Sequence, residues 1–121
     1  MIEDDVDDFH LFREIASQIN PNVNLFLEES HADVAERLKT TSIDLIVMDY
    51  NLPLMNGLEQ LQQIRSLQQG ENIRVIVFSG FVPTAVVQKI YELRGTYINK
   101  PTSYSTFISV VREMLHGVSQ C

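Results

Sequence analysis

The stretch IDLIVMD, residues 43–49, decides the fold together with its companion RVIVFSG, residues 74–80. Each is a short apolar run, rich in β-branched residues, that stops at once on a polar group. A strand covered on one face alternates apolar with polar residues. These runs, apart from Asp44, are continuous and read as strands buried on both faces. Outward from them the period changes from strand to helix. Asn56 caps a helix to about Leu67, with Leu58, Leu61 and Ile64 on one face. Pro83 sits in the first turn of a helix to about Leu93. Tyr97-Ile98-Asn99 reads as a short strand, and 103–116 as the last helix, with Tyr104, Phe107, Val111 and Leu115 as its stripe. Upstream, Ser30 caps a helix to about Lys39, with Asp33 as its capping-box partner. Val23–Leu27 reads as a strand. Residues 7–19 carry Phe9, Phe12, Ile15, Ala16 and Ile19 at helical spacing, closed by Pro21.

Apolar strands separated by amphipathic helices make a parallel sheet covered on both faces, and right-handed crossovers open it into a doubly wound α/β fold. A strand should precede the first helix, yet only Met1 and Ile2 are available for it. Either the numbering begins inside the first strand, or that strand is truncated and loses several ladder bonds.

The chain has 121 residues, 45% hydrophobic and 21% charged, which suits one globular domain spanning 1–121. Nine Lys and Arg against sixteen Asp and Glu give a net charge of −7. That balance disfavours direct nucleic-acid binding and an anionic membrane surface. No run approaches the roughly 20 apolar residues of a membrane span. The single cysteine, Cys121, allows no internal disulfide and points to a reducing compartment, the cytoplasm. His10, His31 and His116 are scattered, with no ligand-like spacing. Gln60, Gln62, Gln63, Gln68 and Gln69 read as a solvated helix face. No phosphate-binding glycine loop is present.

Open α/β sheets bind ligands at the carboxyl ends of their strands. Glu3 and Asp4 follow the first strand, Asp49 the second apolar run, Ser79-Gly80 the third, and Lys100-Pro101 the last. Taken singly, each has a plainer reading: a turn acid, a solvated start, a turn dipeptide, a solvated lysine. Taken together they differ. Three carboxylates at one edge repel, and a hard divalent cation with oxygen ligands resolves the conflict.

Four stretches then stand in order: IEDD (2–5), DLIVMDYNLPLMNG (44–57), VIVFSG (75–80) and YINKP (97–101). The spacings are 45 from Asp4 to Asp49, 30 to Ser79 and 21 to Lys100. This set resembles the receiver domain of two-component response regulators, over essentially the whole chain. The resemblance implies a flavodoxin-like (βα)5 fold with a five-stranded parallel sheet, order 2-1-3-4-5. It implies that Asp49 accepts a phosphoryl group from a histidine kinase or a phosphotransfer protein. Glu3, Asp4, Asp49 and the backbone carbonyl of Asn51 would hold Mg²⁺. Lys100 would pair with a phosphoryl oxygen, and the Ser79 hydroxyl would donate to another. Tyr97 would turn inward as an aromatic switch when Ser79 moves, and Gly80 would leave room beside the phosphoryl group. A half-buried strand aromatic is the rival reading of Tyr97. Gly57 would supply a backbone conformation that side chains disfavour, and the Lys100–Pro101 bond would be cis. Mg²⁺-dependent self-phosphorylation and self-dephosphorylation are expected. So is a stand-alone receiver without an output domain, signalling through a protein contact at about Pro83–Leu115. Self-association is compatible with this reading.

The sequence departs from the commonest pattern at Ser79, where threonine is more usual, and at the short corner 93–96. Phe81 is bulky, and with Asn51 it flanks the path of an attacking water. Two rivals stand beside the main reading. One is an interaction module of the same fold that is never phosphorylated. The other is a small-molecule phosphatase, for which neither a general acid nor a cap segment is evident.

Overall fold

The computed structural model describes residues 6–20, 31–50, 56–67 and 70–116. The predicted strand at Val23–Leu27, the start of the first strand, Ser30, Asn51 and Cys121 lie outside them, as do Glu3 and Asp4. The described elements are α1 (Val6–Ile19), α2 (His31–Leu38), β1 (Leu45–Met48), α3 (Gly57–Ser66), β2 (Arg74–Ser79), α4 (Thr84–Glu92), β3 (Thr96–Asn99) and α5 (Tyr104–Leu115). The strands pair in parallel in the order β1-β2-β3. The register sets Met48 beside Val77 and Ser79 beside Asn99, so the three carboxyl ends share one edge of the sheet.

Strand periodicity divides the core. Val47, Ile76 and Phe78 face one way and pack with Phe12, Ile15 and Ala16 of α1 and Phe107, Val111, Met114 and Leu115 of α5. Ile46, Met48, Val75 and Val77 face the other way, against Val34 and Leu38 of α2, Leu61 and Ile64 of α3, and Ile90 of α4. Both faces of the sheet are thus covered, as continuous apolar strands require. Phe78 meets Phe12 and Phe107 edge-on, with centroids 6.3 and 5.5 Å apart, the geometry that ring quadrupoles favour.

The caps follow the sequence chemistry. Asn56 accepts from the Glu59 N–H at 2.9 Å, and Ser103 from the Thr106 N–H at 3.3 Å. Pro83 stands at the N-cap of α4 rather than inside its first turn. Its missing N–H costs nothing there, and its carbonyl accepts from Val86 and Val87.

Two helix faces differ from the sequence reading. Gln60 is not on a solvated face. It is only 2% exposed. The buried set of α3 is Gly57, Gln60, Leu61 and Ile64, an i, i+3, i+4, i+7 stripe that leaves Leu58 on its flank. Tyr104 is 54% exposed. It opens α5 ahead of the stripe, and Met114 takes the fourth buried place beside Phe107, Val111 and Leu115.

The short corner after α4 closes as a Schellman motif. The Gly95 N–H reaches the Ile90 carbonyl at 2.9 Å, and the Arg94 N–H reaches that of Tyr91 at 2.9 Å. Arg94 occupies the left-handed position, φ 63°, where glycine is usual. Its guanidinium offsets the strain by donating to the Glu71 carbonyl at 2.9 Å. Arg65 fastens the corner from beneath. It donates to the carbonyls of Leu93 (2.8 Å), Gly70 (2.9 Å), Ile73 (2.7 Å) and Arg94 (3.2 Å). Loss of solvation, and then the Arg94 charge, lower its pKa from the usual arginine value.

Candidate functional site

The carboxyl edge of the sheet gathers three of the side chains that the sequence marks. Asp49 follows β1, Ser79 ends β2, and Lys100 follows β3. Ser79 Oγ donates to Asp49 Oδ1 at 2.8 Å. Lys100 Nζ lies 2.9 Å from Asp49 Oδ2, with both side chains largely shielded from water. Each carboxylate oxygen is therefore held by a donor from a different strand end. The sheet fixes this arrangement, because the Lys100 N–H continues the ladder to the Ser79 carbonyl at 2.8 Å. The ammonium also stands 5.8 Å from the centroid of the Phe78 ring, which ties the site to the α1–α5 core.

Gly57 governs how close α3 comes to the acid. Its N–H donates to the Tyr50 carbonyl at 2.7 Å. A Cβ there would meet the Asp49 carbonyl oxygen and the Tyr50 Cα, each at 2.8 Å. The expectation of an unusual backbone conformation is corrected, since glycine is required by close approach and not by a positive φ. The expectation of a cis Lys100–Pro101 bond is corrected too. That bond is trans, as are the other peptide bonds among the described residues. The ordinary trans preference prevails, and Lys100 reaches both Asp49 and the Ser79 carbonyl in that form.

The β2–α4 loop starts with Gly80, which has open space where a Cβ would stand, and Phe81, which is 79% exposed. Tyr97 is half-buried on β3, and its hydroxyl donates to the Gly80 carbonyl at 2.6 Å. Asn99 joins it, with Nδ2 2.7 Å from the same carbonyl. The sequence reading passes over Asn99. The signal for it is the two-residue strand period, which puts a polar amide on the face of Tyr97. Glu3, Asp4 and Asn51 lie outside the described residues. Among the described residues no group of three or more His, Cys, Asp and Glu is arranged to hold a metal. No described helix is long and apolar enough to cross a membrane.

Comparisons with known proteins identify the family. The sequence pattern of the response regulator receiver domain matches residues 1–112. The chain belongs to the response regulator receiver family. It is 26% identical over 109 residues to hybrid signal transduction histidine kinase D of Dictyostelium discoideum. That match takes in 79% of this chain and 7% of the kinase, so the receiver corresponds to a small part of its relative's length. A receiver domain from Rhodospirillum rubrum superposes with TM-score 0.80 at 22% identity, covering 99% of this chain and 93% of that one. The phosphorylated cyanobacterial phytochrome response regulator RcpA superposes with TM-score 0.77 at 23% identity, covering 95% and 88%. At these identities the structures establish the flavodoxin-like receiver fold.

Proposed function

We propose that this receiver accepts a phosphoryl group on Asp49 from a histidine kinase or phosphotransfer protein, and signals by a phosphorylation-dependent protein contact. The observation that carries the reading is the Asp49 carboxylate held between the Ser79 hydroxyl and the Lys100 ammonium at the carboxyl edge of the sheet. A carboxylate fixed there is a nucleophile with both neighbours a phosphoryl group needs, a hydroxyl donor and a cation.

In the reaction, an Asp49 oxygen attacks the phosphorus of a phosphohistidine. The P–N bond breaks as the acyl phosphate forms. Lys100, already beside Asp49, keeps its charge against the transferred oxygens. Ser79 exchanges its carboxylate partner for one of them. The donor set fits Mg²⁺: Asp49, Glu3, Asp4 and the Asn51 carbonyl are all hard oxygen donors, and the ammonium of Lys100 alone would leave three carboxylates under-compensated. When bound, Mg²⁺ supplies neutralisation of charge on the phosphoryl oxygens. The five-stranded sheet of order 2-1-3-4-5 that the resemblance implies is part of this reading. The signalling contact lies within about Pro83–Leu115, which begins four residues after Ser79. The acidic balance and single cysteine suit the cytoplasm.

The test is incubation with acetyl phosphate, with and without Mg²⁺, followed by intact mass and fragment mapping. A gain of one phosphoryl group on Asp49 that requires Mg²⁺ is expected. A folded protein that gains none would leave the pure interaction module as the better description. Steady turnover of small phosphate esters would instead favour the phosphatase.

A further inference from the structure

One oxygen beside the site is held from two directions. The Gly80 carbonyl accepts from the Tyr97 hydroxyl at 2.6 Å and from Asn99 Nδ2 at 2.7 Å. Asn99 Nδ2 also donates to the Tyr97 hydroxyl oxygen at 3.0 Å. The three groups form a closed triangle. The amide orientation follows from chemistry, since a carbonyl only accepts and so faces the NH₂ group.

This triangle stands one residue from the Ser79 hydroxyl. The Ser79 carbonyl is bound by the Lys100 N–H at 2.8 Å, so the strand end itself is fixed. Any displacement that carries the Ser79 side chain is taken up by the peptides after it. There the chain has little side-chain anchorage: Gly80 meets open space and Phe81 is 79% exposed, and the next buried side chain is Val82. The Gly80 carbonyl is the point at which this segment is gripped.

We infer that Asn99 is a positioning residue: with Tyr97 it clasps the Gly80 carbonyl and holds the Ser79–Gly80 segment in its unphosphorylated arrangement, opposing phosphorylation of Asp49. The inference rests on the reading of Asp49 as phosphoacceptor. In the present arrangement Ser79 Oγ is satisfied by Asp49 Oδ1. Once a phosphoryl group is bonded to Asp49, the acceptor oxygens lie farther from the carboxyl carbon. The hydroxyl must follow them, and the clasp resists. A ligand that prefers the displaced arrangement therefore binds more tightly when the clasp is removed.

The experiment uses the full chain, Mg²⁺ and fluoroberyllate, a noncovalent phosphoryl mimic, with binding read from ring resonances of labelled tyrosine. The chain has four tyrosines and no tryptophan, so the Tyr97 signal is assignable with Tyr97→Phe. Asn99→Leu removes both donors at similar size from an exposed position. It is expected to bind the mimic about five- to tenfold more tightly. Its Tyr97 resonance should already be displaced towards the bound position before the mimic is added. A merely structural role for Asn99 would alter the melting temperature and leave the affinity for the mimic unchanged. Tyr97→Phe should also tighten binding, and the double variant should add little, because both bonds end on one carbonyl. Equal or weaker binding by Asn99→Leu, with the unaltered chain binding normally, would overturn the clasp and leave the phosphoacceptor standing. No binding by the unaltered chain would overturn both.

Discussion

The two ends of this sheet each centre on one cation, and they use it differently. At the carboxyl edge, Lys100 reaches the side-chain carboxylate of Asp49, whose other oxygen takes the Ser79 hydroxyl. At the opposite corner, Arg65 reaches backbone carbonyls of Leu93, Gly70, Ile73 and Arg94. Carbonyls belong to the chain trace, and nothing in the chemistry of the site alters them. A carboxylate can be phosphorylated, after which its neighbours must find new partners. The difference teaches that a polar cluster at the end of a sheet is to be judged by what its cation touches. Arg65 ties two loops into one shape. Lys100 holds the carboxylate that the proposed function makes the phosphoryl acceptor.

Substitutions can break or sharpen that contrast. The largest effect on stability is expected from Arg65→Met, which leaves four carbonyls without their shared donor. A loss of about 2–4 kcal/mol in urea unfolding should follow, with the phosphorylation rate of the folded fraction changed less than about threefold. Arg65→Lys should recover little, since an ammonium lacks the planar fork. Lys100→Met should do the reverse. Transfer from acetyl phosphate is expected to slow about 100-fold, the usual consequence of removing a group that stabilises transferred charge. Next comes Gly57→Ala. Its added methyl would press on the Asp49–Tyr50 backbone at 2.8 Å, so a loss of about 1–3 kcal/mol and slower phosphorylation should appear together. The smallest effect belongs to Gly80→Ala. With open space at that Cβ, stability should stay the same or rise by up to about 1 kcal/mol.

The legible part of this molecule is the part written locally. IDLIVMD and RVIVFSG announce buried strands because their apolar runs are contiguous. Asn56 and Ser103 announce helix starts because a cap bonds within three residues. Asp49, Ser79 and Lys100 are readable because strand ends converge by topology. What stayed hidden depends on distant partners. Arg65 meets carbonyls 28 and 29 residues away, and no pattern around position 65 announces them. Gln60 looks like its glutamine neighbours until the helix phase puts it with Leu61 and Ile64. The demand on Gly57 is set by the close approach of the Asp49–Tyr50 backbone, which no local pattern announces.

The most direct test of the contrast is a side-by-side mass measurement of the unaltered chain, Asp49→Asn and Arg65→Met. Each is treated with acetyl phosphate and Mg²⁺ below the melting temperature of the least stable. One phosphoryl group is expected on the unaltered chain and on Arg65→Met, and none on Asp49→Asn. An equal gain on Asp49→Asn would move the acceptor away from the carboxyl edge and contradict the division of labour between the two ends.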